Sequence, residues 1–553
     1  MESEWGMQPV LNVEDVRAVE RRLAEGGVSI SELMHRAGGA AAQEVLHLGD
    51  VANVCVLAGF GNNGGDGWVA AEDLHAAGIG VCVVTPCEPD ELRGDLARMV
   101  AKAAAEAGVT YVVGPSRSEL DELLAASDTV LDAMLGTGFH DAPAAPFSIW
   151  IDAVNASGCR VVSVDVPSGL SAQTGKAPGA VVVADVTITM LSLKPGLLAD
   201  DGRDVCGSIV VAPLAEQTSQ VVYEADPVAW RCEAADYLDV LAPSTTAVDK
   251  YLRGSVLVVG GSTRFPGAAI MAARAAARAG AGYVTLAVPE PVANICRAHV
   301  LEIPVVGLPA EPDGTFSAAA RAQVAELASK RSAVLVGPGM CVTGGTVGVV
   351  SSLLGCDVPL VIDADGLNCL ARLTTGHLDD FPELLRRAKP LVLTPHRREL
   401  GRLVGLTDAP PDSLTSALEA ARRIVWSDGG SEIVVVAKGT ATACVGVEIA
   451  LLPKPGPAAL ATAGSGDVLA GVTVAQLSRC ADAESLPVLT ALACEIHGYA
   501  GSLAQERFGS RGVMAADIID VIGLASDAVE EHAAYAGAGV EMGAAEDDAA
   551  GEQ

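Results

Sequence analysis

Two glycine-and-aspartate segments carry residue types that could handle a phosphorylated substrate. The first, Asn53–Gly67 (NVCVLAGFGNNGGDG), is a β-branched run followed by glycines, Asn62, Asn63 and Asp66. A turn of this composition between a strand and a helix starting near Trp68 exposes backbone N–H groups and aims a helix N-terminus at an anion. Gly61, Gly64, Gly65 and Gly67 allow positive φ and close approach of a phosphate. The second segment, Ala461–Gly471 (ATAGSGDVLAG), predicts amides around Gly464, Ser465 and Gly466 converging at a helix N-terminus. Asp467 then stands where a carboxylate could take a proton from a hydroxyl attacking phosphorus. Each has a bland alternative: an Asn-Gly turn without a ligand, and a carboxylate that merely caps its helix.

Further polar positions fall at predicted strand ends. Asp132 with Gly136, Thr137 and Gly138, Asp165 in VDVPSGL, and Lys194 in LSLKPG follow strands of the first half. Gly337–Met340 (GPGM), Asp363–Asn368 (DADGLN), Thr394–Glu399 (TPHRRE) and Lys438–Thr442 (KGTAT) do so in the second. Open α/β sheets bind ligands at that rim. Alone, Asp132 or Asp165 reads as a structural carboxylate and His396 as a satisfied histidine; several such loops on one rim read as a site.

The elements needed to position them are strands alternating with helices. Val54–Ala58, Val81–Thr85, Tyr111–Val113, Thr129–Leu131, Arg160–Asp165 and Val182–Met190 read as strands, with helix-length stretches at Trp68–Gly78 and Glu91–Gly108. The rhythm restarts at Ser255–Val259, Tyr283–Val288, Ala333–Val336, Leu360–Ile362, Leu391–Leu393 and Ile433–Ala437. Helices are expected at Ala268–Ala279, Ala318–Ser329, Ser413–Val425, Asp467–Leu477 and Val488–Ala504. The fold class is therefore α/β with parallel sheets. A boundary is expected near residue 225, giving domains 1–225 and 226–535. The Gly-, Ala- and acid-rich segment 536–553 reads as a disordered tail.

Composition sets the context. At 553 residues, half of them hydrophobic, the chain exceeds one ordinary core. A formal charge of −33 argues against nucleic-acid or anionic-membrane partners, so substrate phosphates would fall to backbone amides and a few placed cations. The start has no signal-peptide pattern and no run suits a membrane span. Thirteen scattered cysteines suit a reducing cytosol better than disulfides or zinc. The expected location is cytoplasmic, and oligomeric state is left open, a homo-oligomer included.

GNNGGDG, DAMLGTGF, VDVPSGL and the later K-P-G, in this order, resemble the N-terminal domain of the YjeF family, the NAD(P)H-hydrate epimerases, over roughly residues 10–220. The resemblance implies a Rossmann-like domain in which Asn62, Asn63, Gly64, Gly65 and Asp66 line the hydrate site. Gly136, Thr137, Gly138, Phe139, His140, Asp141 and Ala142 would line it too. It further implies a potassium ion at Asn63, Asp132 and Ser168, and Asp165 at the nicotinamide end. Asp165 and Lys194 could shuttle the protons that equilibrate the epimers.

The second half resembles the family's C-terminal domain, the ribokinase-like ADP- or ATP-dependent NAD(P)H-hydrate dehydratases, over roughly residues 245–525. By that resemblance Ala269, Gly339, His396 and Asp467 contact the hydrate, while Lys438, Gly439, Thr440, Ala441, Thr442 and Gly466 hold the nucleotide with magnesium. The implied reaction phosphorylates the hydrate's C6 hydroxyl, and elimination restores NADH or NADPH. Two departures stand out: Asp249-Lys250 where the family often has His-Lys, and Cys341 where GPGM is often followed by Gly. The rival readings are a ribokinase-like vitamin or hydroxymethylpyrimidine kinase, and a non-catalytic N-terminal module fused to such a kinase.

Overall fold

Strands apolar on both faces belong in parallel sheets covered by helices on each side, and the computed structural model buries them in that way. It describes residues 6–241, 253–375, 384–387, 389–427, 432–480 and 485–550, with side chains as far as 538. The chain divides into two units, one built mainly from Gln8–Ala229 and the other mainly from Trp230–Asp412 and Ser416–Gln553.

In the first unit, β1 (Gln8–Val10) bridges in parallel to Leu193 through Val10. Then come β2 (Asn53–Ala58), β3 (Gly80–Thr85), β4 (Thr110–Val113), β5 (Thr129–Ala133), β6 (Arg160–Val164), β7 (Val186–Met190) and β8 (Ser208–Ala212). These seven form one parallel sheet in the order β4-β3-β2-β5-β6-β7-β8. The connections diverge on either side of β2, where its neighbours are β3 and β5. Chains leaving such a point in opposite directions open a crevice above the carboxyl ends of the strands.

The sequence expectation needs correcting at the glycine motif. GNNGGDG is not a loop preceding a helix at Trp68: the helix runs Asn62–Ala76, so only Gly59–Gly61 turn the chain. Gly61, Gly64, Gly65 and Gly67 all lie outside the positive-φ region. Proximity, not backbone freedom, requires the glycines. A Cβ on Gly64 would stand 2.1 Å from the Gly59 carbonyl oxygen, one on Gly67 2.6 Å from Ala133 Cβ, and one on Gly65 2.8 Å from Met34 Cε. The motif presses the first turns of the helix onto β2 and β5, which brings Asn62, Asn63 and Asp66 to the crevice.

The second unit contains β9 (Ala229–Arg231), β10 (Ser255–Val259), β11 (Tyr283–Pro289), β12 (Val305–Leu308), β13 (Ala333–Val336), β14 (Leu360–Ile362), β15 (Leu391–Leu393), β16 (Ile433–Ala437), β17 (Ala443–Val445) and β18 (Ala450–Leu452). Strands β16-β15-β14-β13-β10-β11-β12 run parallel. β17 and β18 continue antiparallel from β16, and β9 joins β18 in parallel through Trp230 and Arg231. The six core strands read from sequence recur here. β9, β12, β17 and β18 are additions, three or four residues long and too short for a periodic signal.

Helix Ser465–Leu477 is almost entirely buried. It lies so close to helix Pro266–Arg278 that a Cβ on Gly471 would reach 2.4 Å from the Ala272 carbonyl oxygen. The chain ends in one long helix that enters the segment 536–553. Helix Ala515–Ala550 continues through residues 536–550, as the high helix propensity of Ala and Glu there allows; residues 551–553 lie outside the described set.

Gly64→Ala is expected to destabilise the first unit by about 1–3 kcal/mol through overpacking. Gly61→Ala, whose Cβ would meet nothing within 4 Å, should cost less than about 0.5 kcal/mol. Thermal unfolding of both variants checks this; equal losses would count against the close-packing role.

Candidate active sites

In the first unit the carboxyl ends of β2, β5, β6 and β7 and helices Val13–Glu25, Ile30–His47 and Asn62–Ala76 enclose a cavity of about 860 Å³. Of the expected residues, Asn62, Asn63, Asp66, Gly136, Thr137, Gly138, Phe139 and Asp165 line it. Gly64 and Gly65 are buried beneath the helix, and His140, Asp141 and Ala142 are exposed outside the lining.

Asp165 directly follows β6 with φ +66°, a left-handed backbone that costs a non-glycine residue energy and here turns the side chain to the cavity. Lys194 is fully buried. Its Nζ donates to Asp165 Oδ1 at 2.6 Å, Thr189 Oγ1 at 2.7 Å and the Met190 carbonyl at 2.9 Å. All three N–H bonds are therefore used, and Lys194 does not line the cavity. Lys194 thus fixes Asp165 Oδ1 and leaves Oδ2 without a hydrogen bond among the described residues.

Asp132 lies inside the sheet, in register with Leu57 of β2 and Ser163 of β6, and is completely buried. Its oxygens accept from Ser163 Oγ at 2.9 Å, Ser168 N at 2.8 Å, Ser168 Oγ at 2.5 Å and Met134 N at 3.3 Å. Ser168 Oγ in turn accepts from Leu135 N at 2.9 Å. Burial still pushes the Asp132 carboxyl above its usual range, since every partner is neutral. Asn63 sits against Gly136, and its buried Nδ2 has no hydrogen-bond partner. Asp132, Ser168 and the loop carrying Gly136 thus form one polar cluster that Asn63 adjoins.

Among the charged cavity residues, sequence reasoning missed three. Arg17 and Glu20 come from helix Val13–Glu25, whose apolar stripe Val16, Val19 and Leu23 faces the core and leaves these two on its flank. Their i, i+3 spacing beside that stripe is the signal that could have found them. Arg93 also lines the cavity, with Cζ 4.8 Å from the Phe60 ring centroid. The cavity of this strongly acidic chain is thus provided with cations.

In the second unit Asp467 occupies the first turn of helix Ser465–Leu477, behind Gly464 at φ +91°. Here the expected geometry is present: a positive-φ glycine opens the buried helix, and Met271, 2.6 Å from where a Cβ would stand, closes its far side. Ser465 Oγ lies 3.1 Å from Nε2 of His497, whose burial pushes it down to about 4 and keeps it neutral. His497 also escaped sequence reasoning, and no motif marks it.

Lys438, at the end of β16, holds Asp363 Oδ1 at 2.8 Å. Asp363 also accepts from Thr394 Oγ1 at 2.7 Å. Burial first, then the charge of Asp363, push Asp467 up to about 7 against the pull of Lys438; Asp365 and Glu399 add to the rise. Glu399 is likewise pushed up to about 7, mainly by burial. His396 is exposed on one edge, and its Nδ1 accepts from the N–H groups of Arg398 and Glu399 at 3.1 and 3.2 Å. Nδ1 is therefore unprotonated, and burial followed by Lys438 and Arg402 lowers its affinity for a second proton. Gly439, Thr440, Ala441 and Thr442 form the turn between β16 and β17, and Gly466 adjoins Lys438 Nζ.

Ala269, expected to touch substrate, is fully buried under the Gly260–Gly261 turn, so its methyl group is packing and not surface. Gly339 needs to be glycine, with φ +67° and Phe265 O 2.5 Å from a hypothetical Cβ. Cys341 adopts φ +60° and its N–H donates to Asp365 Oδ2 at 2.9 Å, so the departure from Gly keeps the turn at some backbone cost. Asp249 and Lys250 lie outside the described residues.

Known proteins match both halves. A family model described as YjeF-related protein N-terminus matches residues 30–196, and one described as NAD(P)H-hydrate dehydratase matches residues 256–523. A bifunctional NAD(P)H-hydrate repair enzyme of Salinibacter ruber is 35% identical over 93% of this chain and 95% of its own. Its namesake in Escherichia coli K12 is 33% identical over 92% of each. The chain belongs to the bifunctional NAD(P)H-hydrate repair enzyme family. A solved structure of the ADP/ATP-dependent NAD(P)H-hydrate dehydratase of Bacillus subtilis, co-crystallised with ATP and Mg²⁺, is similar at 23% identity over 54% of this chain and 98% of that one, with a TM-score of 0.45. Membership makes the chain a bifunctional NAD(P)H-hydrate epimerase and dehydratase, and no described helix is long and apolar enough to cross a membrane.

The raised Asp467 has a consequence for stability. The native state keeps a proton there between about pH 4 and pH 7 that the unfolded chain has released, so stability falls as pH rises through that window. Asp467→Asn removes this liability. The variant is expected to unfold later than the parent at pH 8, by about 1–3 kcal/mol, with the gain fading by pH 4–5. Thermal scans at both pH values check it; a pH-independent difference would rule it out.

Proposed function

We propose that the first unit interconverts the R and S forms of hydrated NADH and NADPH and that the second dehydrates the S form at the expense of ADP or ATP. The observation that carries this reading is one acid–base carboxylate in each unit, set at a parallel-sheet rim among the family's ligand motifs: Asp165 in the cavity of the first and Asp467 at the buried helix N-terminus of the second.

In the first unit, Arg17 and Arg93 offer charge to the pyrophosphate, and the start of helix Asn62–Ala76 and Gly136–Phe139 surround the ring. Asp165, held through Oδ1 by Lys194, exchanges protons with the group at C6. A monovalent cation fits beside Asp132, where a buried carboxylate has only neutral partners and Asn63 and Ser168 offer oxygen atoms. Such an ion would balance that charge and stiffen the loop at Gly136.

In the second unit, Asp467 takes the proton of the C6 hydroxyl as its oxygen attacks the terminal phosphorus. The amides of Gly464–Gly466 face the phosphoryl oxygens, and Lys438 with the Gly439–Thr442 turn receives the rest of the nucleotide. Loss of phosphate from C6 and of a proton from C5 then restores the C5–C6 double bond. Magnesium bound with the nucleotide would neutralise its phosphates, with the nucleotide itself supplying most of the oxygen atoms around that ion. A cytosolic location belongs to this reading, and all thirteen cysteines are free thiols.

Hydrated NADH should regain the absorbance of NADH only when ADP or ATP is added. Asp467→Asn should slow that return about 10²–10⁴-fold, and Asp165→Asn should slow R–S interconversion by a similar factor while leaving dehydration of pure S hydrate intact. Phosphorylation of another acceptor without return of NADH would overturn the reading in favour of a vitamin-type kinase. Unchanged interconversion in Asp165→Asn would leave the first unit a binding module.

A further inference from the structure

Epimerisation at one carbon needs an acid to release the group on one face and a base to install it on the other. The assigned motifs supply Asp165 alone for both tasks. The cavity offers more. Glu20 and Asp66 line it together with Asp165, from helices Val13–Glu25 and Asn62–Ala76, and neither carboxylate makes a hydrogen bond among the described residues. Helix Val13–Glu25 lies outside residues 30–196 matched by the family model, so nothing in that match assigns Glu20 a role.

We infer that Glu20 is the second proton-transfer residue of the epimerase cavity, the acid that works against Asp165 as base. The inference rests on the epimerase reading above. Glu20 gives its carboxyl proton to the C6 hydroxyl, the C6–O bond breaks with its electron pair leaving as water, and the N1 lone pair forms an N1=C6 double bond. A water on the other face then loses a proton to Asp165 as its oxygen bonds to C6, and the π pair returns to N1. The released water carries the proton from Asp165 back to Glu20, so atoms, charge and electrons balance without a further reactant.

The surroundings favour Glu20 over Asp66. Burial, then the charge of Asp165, raise the Glu20 carboxyl, which favours its acid form, while Lys194, Arg17 and Arg21 pull it back. Asp66 is raised much further by burial, Asp165 and Glu20, with no cation opposing. Without a cation to stabilise its charged form, Asp66 suits binding of the substrate, the role expected of it, more than cycling a proton.

Full-length Glu20→Gln, Glu20→Asp and parent chains should be compared for R–S interconversion by NMR across pH. In the parent the rate should fall on both sides of an optimum, the alkaline fall reporting loss of the acid's proton. Glu20→Gln should lower kcat at least 100-fold with KM within about threefold and flatten the alkaline limb, and Glu20→Asp should restore part of the rate. Thermal unfolding of each variant reports whether the chain is folded, and Glu20→Asp carries the test if the glutamine variant is not. A wild-type rate in Glu20→Gln, a loss that keeps both limbs, or a loss confined to KM would overturn the assignment. A parent chain that never interconverts the hydrates would instead overturn the epimerase reading itself.

Discussion

A lysine held against an aspartate at a strand's carboxyl end, fully buried at Lys194 and half-buried at Lys438, is the interaction on which each site depends. In the first unit it is Lys194 on Asp165, in the second Lys438 on Asp363. Taking either charge out of water is affordable only because the partner and added hydrogen bonds replace hydration, and removing one member of such a pair leaves a loss of about 3–5 kcal/mol. The two pairs are used differently. Lys194 fixes the reacting carboxylate itself, whereas Lys438 fixes a neighbour and leaves Asp467 unpaired among acidic groups, pushed up to about 7. One arrangement anchors a base by one oxygen; the other keeps a base poised near neutrality until phosphate and metal charges enter.

Both pairs require close approach of backbone around them, and that explains the glycines better than flexibility does. Gly59, Gly64 and Gly67 let a helix lie on β2 and β5, and Gly471 lets the helix bearing Asp467 lie on helix Pro266–Arg278. Left-handed backbone also enters at particular site positions: Gly464, Gly337 and Gly339, and the non-glycines Asp165, Cys341 and Ala364. Asp165 is the informative one, because its strained conformation converts a strand end into a side chain aimed at the cavity.

Much of this was legible in the residues. Parallel strands buried on both faces write uninterrupted Val-, Leu- and Ile-rich runs, so most core strands could be placed nearly to the residue, and the motif loops fell at their ends. What stayed hidden was set by contacts distant in sequence. That GNNGGDG is helix follows from packing against Ala133 and Met34, not from its own propensities, which glycine makes poor. That Lys194 faces inward with every N–H satisfied depends on Asp165, Thr189 and Met190 meeting around it. Arg17 and Glu20 carry no motif, and they become site residues only because helix Val13–Glu25 docks over the crevice.

The net charge of −33 bears on how the sites must work. A chain so acidic repels a dinucleotide at long range, and salt screens that repulsion within about 8–10 Å. Binding then rests on charges placed inside that distance: Arg17 and Arg93 at the first site, Lys438 and a helix N-terminus at the second. The acidic residues that reach these cavities are correspondingly few and buried, where desolvation raises their proton affinity. Glu399 and Asp467, both pushed up to about 7, can therefore carry protons near neutral pH, and burial raises Glu20 and Asp66 in the same direction. The same burial that costs the fold stability supplies the acids and bases of the chemistry.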